Sequence, residues 1–282
     1  TLLFSATFAD PIRELSQKFQ YKPITVSIEE GHHADVIEQL FYEVVKGQRT
    51  NALGYLLSYH RPESTVIFCN TKKDCHDVAN ELKNGGFSVQ ALHGDLEQKD
   101  RDQVLVRFAN KSCSILVATD VAARGLDIKE LQAVINYELP WDPEIYVHRI
   151  GRTGRAGHKG LALSLCTQQE MTRVKAIEEY QNTTAKWDEV VPFTMSREDR
   201  LEPPMVSLWI AGGRKDKVRP GDILGALTGD TGIPGSAVGK IDIFDNHAYV
   251  AIKSESADDA LTCLRNGKIK GRSFNVRKSQ WG

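Results

Sequence analysis

The sequence lacks any apolar run that approaches the roughly 20 residues needed to cross a bilayer. Its longest apolar stretches have the length of single strands, and 26% of its 282 residues are charged, so we expect no transmembrane segment and no membrane partner. It also lacks a basic segment followed by a cleavable apolar segment near Thr1, which predicts no targeting peptide. A start at Thr1 rather than at Met further predicts a piece of a longer chain.

Cysteine is scarce and irregularly spaced. The five cysteines are an odd number and include no CxxC pair, the spacing typical of zinc or redox sites. They are Cys69, Cys75, Cys113, Cys166 and Cys263. We therefore expect reduced thiols, a cytoplasmic location and no metal site formed by this chain.

Net charge is almost absent, but the charges are unevenly distributed. The chain has 36 Lys and Arg against 37 Asp and Glu. From residue 204 onward there are 12 basic and 8 acidic residues, a net charge of +4, which leaves −5 for the rest. This asymmetry indicates a nucleic-acid-binding module attached to a domain of opposite charge.

Apolar runs of strand length alternate with helical patterns up to about Thr183. Strands are predicted at TLLFSAT, ITVSI, TVIFCN, SVQALHG, SILVATD, QAVINYEL and GLALSLC, with helical patterns such as EQKDRDQVLVRFAN between them. The alternation predicts an α/β fold with a parallel sheet and helices on both faces. Polar pairs such as Asn70-Thr71 and Thr119-Asp120 end two of the strands, where ligands of open α/β sheets bind.

A charged stretch that ends in two prolines, SREDRLEPP, follows this region. Proline continues neither a helix nor a strand ladder, so we predict a linker over residues 187–204. Beyond it, the order of patterns is βαββαβ, which predicts a smaller α+β domain of ferredoxin-like type at 205–282.

Three arginines recur at intervals of three residues in HRIGRTGRAG: Arg149, Arg152 and Arg155. On a helix or tight turn, their guanidinium groups are expected to project to one side. A planar guanidinium donates two parallel hydrogen bonds and keeps its charge, so the group suits a phosphate. The alternative is a solvated basic loop.

HRIGRTGR resembles the sixth motif of the DEAD-box RNA helicases, and four further motifs of that family precede it in the right order. SAT at Ser5 to Thr7 resembles the third motif, VIFCNTKK the fourth, QKDR the QxxR motif and ATDVAARGLD the fifth. The resemblance implies a second RecA-like helicase lobe at 9–186, preceded by the last strand of a missing first lobe at 1–8.

The same resemblance assigns residues to ATP. Arg152 and Arg155 correspond to the arginine fingers, which stabilise charge on the γ-phosphate during its transfer. Gly125 allows close backbone approach, and Asp127 corresponds to a residue that binds the nucleotide ribose. Without the resemblance, Asp127 is only a turn or capping residue.

The resemblance also assigns residues to RNA and to coupling. Backbone contacts of this kind position RNA without reading its sequence. The positions that correspond to RNA contacts are Thr71, Gly94, Gln98, Arg101, Thr119 and Arg124. Residues that correspond to coupling positions between the ATP and RNA sites are Ser5, Thr7, His148 and Arg149.

The phosphate-binding loop of a P-loop ATPase is missing, as is a DEAD sequence. GSAVGKI has only three residues between its glycines and continues with Ile after Lys240, so it provides no hydroxyl for magnesium. We therefore expect ATP and Mg²⁺ to be held mostly by the missing first lobe. The chain alone is expected to hydrolyse ATP negligibly.

The predicted small domain has aromatic residues on its two central strands. Trp209, His247 and Tyr249 lie at or near positions that stack bases in RNA-recognition motifs, and Tyr249 is predicted to bind RNA. However, Asp245-Asn246 replaces the basic-glycine pair of the usual signature. The alternative is that these aromatic residues only pack the sheet.

Two loops of the small domain are rich in positive charge, which favours phosphate binding. The residues predicted to bind RNA there are Arg214, Lys215, Lys217, Arg219, Lys268, Lys270 and Arg272. IAGGRKDKVRPGDILGALTG followed by GKIKGR resembles the C-terminal domain of one branch of the family, the DbpA-type helicases. That resemblance implies binding to a hairpin of large-subunit ribosomal RNA.

We interpret the chain as the C-terminal part of an ATP-dependent DEAD-box RNA helicase. It would unwind short duplexes during large-subunit assembly, as a cytoplasmic monomer tethered to ribosome precursors. The alternatives are a non-enzymatic RNA-binding adaptor, a DNA helicase of the same superfamily and a general DEAD-box helicase without ribosomal specificity.

Overall fold

A computed structural model gives the architecture of most of the chain. It describes residues 3, 10–21, 23–24, 26, 36–123, 131–154, 159–191, 201–229 and 232–279. Thr1–His33 and Ala34–Gly282 form two compact units, and the first contains helix α1 (Asp10–Phe19). The sequence predicts a domain boundary at residue 9, whereas the compact unit that contains the large sheet begins at Ala34.

The described part of the second unit begins with a seven-stranded sheet. Its strands are β1 (Ile37–Glu43), β2 (Thr65–Cys69), β3 (Val89–Leu92), β4 (Ile115–Thr119), β5 (Ala133–Asn136), β6 (Gly160–Cys166) and β7 (Trp187–Asp188). They lie in the order β3-β4-β2-β5-β6-β1-β7, and every pair is parallel.

Helices cover both faces of this sheet. They are α2 (Arg49–His60), α3 (Lys72–Asn84), α4 (Gln98–Ala109), α5 (Asp120–Ala123), α6 (Pro143–Ile150) and α7 (Met171–Gln181). In β2, Ile67 packs in a cluster with α2 and α3, whereas Val66 and Phe68 pack in a cluster with α4. Strands buried on both faces read as continuous apolar runs, and the predicted α/β fold is confirmed. No helix among the described residues is long and apolar enough to span a bilayer.

The predicted linker over 187–204 includes residues that belong to the large sheet. β7 pairs with β1 through Trp187 opposite Phe41 and Asp188 opposite Tyr42. Leu201, which is only 8% exposed, packs into the core around α2 and α3. The boundary is therefore corrected, because a two-residue edge strand has no periodicity that the sequence could reveal.

The second domain has the predicted βαββαβ order. Its elements are β8 (Met205–Ile210), α8 (Pro220–Thr228), β9 (Val238–Ile243), β10 (Ala248–Lys253), α9 (Ala257–Asn266) and β11 (Val276–Lys278). The antiparallel sheet has the order β11-β8-β10-β9. Leu208 and Val250 face α8 and α9 in the core, so Trp209 and Tyr249, which are paired across β8 and β10, point to the opposite face.

The different burial of the five thiols allows a simple test of this packing. Burial raises the pKa of Cys75 to about 11 and that of Cys113 to about 12, and it also raises the pKa of Cys69 and Cys166. Cys263 alone is half-buried rather than buried. Because the thiolate is the reactive form, we expect a thiol reagent at about pH 8 to label Cys263 first in the native chain. The other four should react only after denaturation.

Mass spectrometry of the labelled peptides provides the measurement, and the Cys263→Ser variant is the control. This variant should show no rapid labelling in the native state. Rapid labelling of any of the other four thiols would contradict the packing described above.

Candidate nucleic-acid interface

Three residues predicted to face RNA lie where neighbouring strands end. Thr119 is the last residue of β4, Thr71 follows β2 by two positions, and Gly94 follows β3 by two positions. β4 lies between β3 and β2, and Cys69 at the end of β2 is opposite Thr119. The parallel register therefore brings the three residues to one edge of the sheet, which we call the RNA edge.

The side chains at the RNA edge differ in what they expose. Thr71 is exposed and caps α3, because its hydroxyl accepts a hydrogen bond of 3.1 Å from the backbone N–H of Asp74. Thr119 is 7% exposed, so its side chain is largely enclosed. The sequence reasoning missed Lys72, whose Nζ donates a hydrogen bond of 2.5 Å to Asp95 beside Gly94. This hydrogen bond lowers the pKa of the Asp95 carboxyl group. The sequence could have indicated Lys72 by its position directly after Thr71.

The two predicted residues of the QxxR motif lie in the first turn of α4. Gln98 is exposed and donates a hydrogen bond of 2.6 Å to Asp102. Arg101 donates a hydrogen bond of 2.6 Å to the carbonyl oxygen of Ala122 in α5. Arg101 thus connects the helix that carries the QxxR motif to the segment that follows β4.

Arg149 is the centre of a buried polar network, since only 1% of it is exposed. Its Nε and Nη2 atoms each donate to one carboxylate oxygen of Asp120 at 2.7 Å. Its Nη atoms also donate to the side-chain oxygens of Asn70 and Asn136, at 2.9 and 3.2 Å, and Nη1 donates to the carbonyl oxygen of Glu138 at 2.7 Å. One guanidinium thus joins the ends of β2, β4 and β5 to helix α6.

This network corrects one expectation about the arginine triplet. Arg149 does not project outward toward a phosphate, as the triplet predicted. Its guanidinium is buried and turned toward Asp120. Its acceptors, Asn70 and Asp120 among them, lie on separate motifs that only the fold brings together. The coupling role of Arg149 stays a prediction that this position can explain.

Arg152 lies at the other end of β5. It occupies the turn after α6, and its carbonyl oxygen accepts a hydrogen bond of 3.4 Å from the N–H of Leu131, two residues before β5 begins. The predicted phosphate contact is thus separated from the RNA edge at the carboxyl ends of β2, β3 and β4. His148 is exposed near the end of α6.

Six predicted site residues lie outside the described part of the chain: Ser5, Thr7, Arg124, Gly125, Asp127 and Arg155. Within the described part, no group of three or more His, Cys, Asp or Glu residues is arranged to hold a metal ion. GSAVGKI forms a short 3₁₀ turn and the beginning of β9, not the strand-to-helix loop that binds phosphates.

The two basic loops of the second domain meet. Lys270 Nζ donates a hydrogen bond of 3.0 Å to the carbonyl oxygen of Lys217. A cleft of about 530 Å³ beside the first loop is lined by Arg214, Arg219 and Phe244, among others. All seven predicted RNA-binding residues of these loops are exposed: Arg214, Lys215, Lys217, Arg219, Lys268, Lys270 and Arg272. The structure therefore brings the two loops into contact at Lys217 and Lys270, and we call the exposed cations of both loops the basic surface.

Tyr249 is not accessible in this arrangement. It is only 5% exposed, and burial raises the pKa of its hydroxyl. The face of the sheet that carries it packs on α4, where Asn110 Nδ2 donates 2.8 Å to Ser207 Oγ and Arg107 Nη2 donates 3.2 Å to the Ser279 carbonyl oxygen. The prediction that Tyr249 stacks on a base does not fit this packing, because the ring is buried close to Arg107 of α4.

Two family descriptions match the two domains. Residues 48–157 match the helicase conserved C-terminal domain, and residues 207–278 match the DbpA RNA binding domain. The chain is 50% identical over 277 residues to the ATP-dependent RNA helicase DbpA of Escherichia coli (strain K12), a match that covers 98% of this chain and 60% of that protein. The chain spans about 60% of the length of the DbpA relatives it matches.

Solved structures with the same lobe are also similar. The E. coli DEAD-box protein SrmB, solved with the regulator of ribonuclease activity A, is 31% identical with a TM-score of 0.52, covering 59% of this chain and 94% of that chain. Saccharomyces cerevisiae Dbp5, solved with RNA and ADP BeF3, is 33% identical with a TM-score of 0.60, covering 66% of this chain and 50% of that chain. Together with the ordered motifs and the two domain matches, these similarities show that the chain belongs to the DbpA-type DEAD-box RNA helicases.

Proposed function

We propose that the whole protein is an ATP-dependent helicase that separates short RNA duplexes, and that this chain provides the arginine fingers and half of the RNA path. The observation that carries the proposal is the network around Arg149, which ties the three motif segments at Asn70, Asp120 and α6 into one rigid edge. The similarity to DbpA, and that of a neighbour solved with RNA and ADP BeF3, support it.

In this mechanism, ATP lies between the two lobes. Arg152 and Arg155 reach the γ-phosphate and stabilise the charge that develops as it is transferred. Mg²⁺, held mainly by the first lobe, would neutralise charge on the phosphates. Gly125 and Asp127 would approach the nucleotide from this lobe.

RNA would follow the edge that carries Thr71, Gly94 and Thr119, with Gln98 and Arg101 beside it. Because Arg101 and Arg149 both hold α5, a movement at the phosphate side is transmitted to the RNA side. ATP and RNA together would close the lobes, bend one strand and release the other, and hydrolysis would reopen the cleft.

We also propose that the second domain tethers the helicase to a hairpin of large-subunit ribosomal RNA in ribosome precursors. The protein would act there as a monomer in the cytoplasm. The basic surface formed by the loops around Lys217 and Lys270 supports the tether, since clustered exposed cations neutralise phosphates. RNA shape and a few base contacts would then provide the preference for one hairpin.

Fluorescence anisotropy with a large-subunit ribosomal RNA hairpin and a scrambled hairpin of equal length tests the tether. We expect tighter binding to the ribosomal hairpin across a salt series. Arg219→Gln should weaken this binding by about tenfold and lower the slope of log affinity against log salt by about one.

Lys253→Gln is the matched control. It also removes one positive charge, but from the last residue of β10, outside the two basic loops. It should change the affinity by less than about twofold. Equal affinities for both hairpins that fall together with salt would contradict the tether, and would leave a helicase with a general phosphate-binding domain.

A further inference from the structure

One indole ring at the carboxyl edge of the large sheet is left in solvent. Trp141 lies in the loop between β5 and α6, and 78% of it is exposed. Burial of an aromatic side chain of this size would be favourable, but the ring adds little to the core in this position. The loop that carries it is nevertheless well anchored.

Arg173 of α7 holds this ring from one side. Its guanidinium carbon lies 3.4 Å from the centre of the Trp141 ring. The guanidinium is itself fixed, because its Nη1 atom donates a hydrogen bond of 2.7 Å to the carbonyl oxygen of Leu139 and lies 3.5 Å from the carboxylate of Glu170. The guanidinium covers one face of the indole, so the exposed area of Trp141 belongs mainly to the opposite face and the ring edges. A ring fixed in this way loses little freedom when a flat ligand stacks on its open face.

The ring lies next to the RNA edge. β5 is the neighbour of β2 in the sheet, and the parallel register brings their carboxyl ends together. Beyond the paired residues, Asn70 Nδ2 donates a hydrogen bond of 3.0 Å to the carbonyl oxygen of Leu139. This oxygen thus accepts hydrogen bonds from Arg173, which supports Trp141, and from Asn70, which directly precedes Thr71. One backbone oxygen therefore connects the RNA edge to the support of the ring.

Negative charge flanks the ring on the side of α6. The carboxylate of Asp142, directly after Trp141, is exposed and caps the helix by accepting a hydrogen bond of 2.8 Å from the N–H of Glu144. Glu144 adds a second carboxylate in the first turn of α6. Carboxylates repel the phosphates of RNA but not its uncharged bases. This position therefore suits the base of a nucleotide rather than its phosphate.

We propose that Trp141 is a stacking site for one unpaired RNA base at the β5 side of the RNA edge. The open face of the indole receives the base, and Arg173 supports the opposite face. The inference rests on the proposed function, because the strand that passes Thr71 and Gly94 brings the base to the ring. A base can stack on the indole only after it leaves its own duplex, so the site favours the separated strand. Every base has a π face, so the site has no strong sequence preference.

An abasic scan of a bound RNA tests the site in the whole protein. The probe is a labelled oligoadenylate of about ten nucleotides, bound with a non-hydrolysable ATP analogue, in which one base at a time is replaced by an abasic ribose. In the parent, loss of the base that stacks on Trp141 should weaken binding by about tenfold. Trp141→Ala should weaken binding of the unmodified RNA by about the same factor, and the abasic ribose at that one position should then have no further effect.

A salt series separates this contact from a phosphate contact. Trp141→Ala should leave the slope of log affinity against log salt unchanged, since no cation is removed. Because the ring is exposed, we expect this variant to keep the circular dichroism spectrum of the parent. Tyr180→Ala is the matched control. It also removes an exposed aromatic ring, at the other end of α7, and should bind every RNA of the scan as the parent does.

Two results would overturn the base site: parental binding of the unmodified RNA by Trp141→Ala, or an equal loss by that variant on every RNA of the scan. The second result would mean that the ring contacts the first lobe or another protein instead of a base. If either result is obtained while the parent binds these RNAs and separates a short duplex, only the base site fails. If the parent binds none of the RNAs, the proposed function fails as well.

Discussion

Replacing Arg149 with Met is expected to lower the free energy of unfolding by about 3–5 kcal/mol, because it leaves the carboxylate of Asp120 partly buried without its partner. The guanidinium is 1% exposed and also satisfies the side-chain oxygens of Asn70 and Asn136. Met can fill part of the volume but donates no hydrogen bond. Unfolding by urea, followed by circular dichroism, gives the measurement.

The Arg149→Lys variant tests whether the charge or the geometry of the guanidinium group provides this stability. An ammonium group keeps the charge but cannot place donors on the two Asp120 oxygens, Asn70 and Asn136 at the same time. We therefore expect this variant to lose a large part of the same stability. Lys175→Met, at an exposed position of α7, is the control and should change the stability by less than about 0.5 kcal/mol. A loss below about 1 kcal/mol for Arg149→Met would show that the network contributes little.

Replacing Arg152 with Lys in the whole protein is expected to reduce RNA-stimulated ATP turnover by about 10³-fold to 10⁵-fold. A finger acts by placing two donors on the oxygens of the phosphoryl group in the transition state, and an ammonium group cannot reproduce that fork. RNA affinity should stay within about twofold of the parent, since Arg152 lies at the amino-terminal side of β5, away from the RNA edge.

Turnover at saturating RNA and ATP, together with RNA binding, provides the measurement. Lys175→Gln serves again as the control and should keep parental turnover. If Arg152→Lys retains turnover within about tenfold of the parent, Arg152 is not a finger, and the proposed assignment of the phosphate side is wrong. If turnover and RNA affinity fall together, the turn after α6 serves RNA binding instead.

Strands were predictable where both faces are buried and hard to predict where they are not. TVIFC and ILVAT are buried at every position, so their apolar runs identified β2 and β4 directly. β1, IEQLFYE, was missed, because Glu38 and Gln39 interrupt its apolar residues and give neither alternation nor a continuous run. β7 was missed because two residues, Trp187 and Asp188, form no pattern.

Some features of the candidate site were also predictable from the sequence, and others were not. The order of the motifs, the basic loops and the residue types at strand ends are properties of the sequence, and they were sufficient to predict the family. Where each group points was not predictable. Arg149 carries the same type of side chain as Arg152, and only the acceptors that surround it in the fold turn it inward.

The sequence by itself therefore determined the two domains, their βαβ and βαββαβ orders and the residues that we predict to recognise phosphate. Periodicity and local propensity are enough for these, since they depend on neighbours along the chain. Tertiary structure alone decided that Asp120 pairs with Arg149 and that Tyr249 is buried beside α4. Those contacts join residues as far apart as Arg107 and Ser279, and such pairs meet only when the packing of whole elements brings them together.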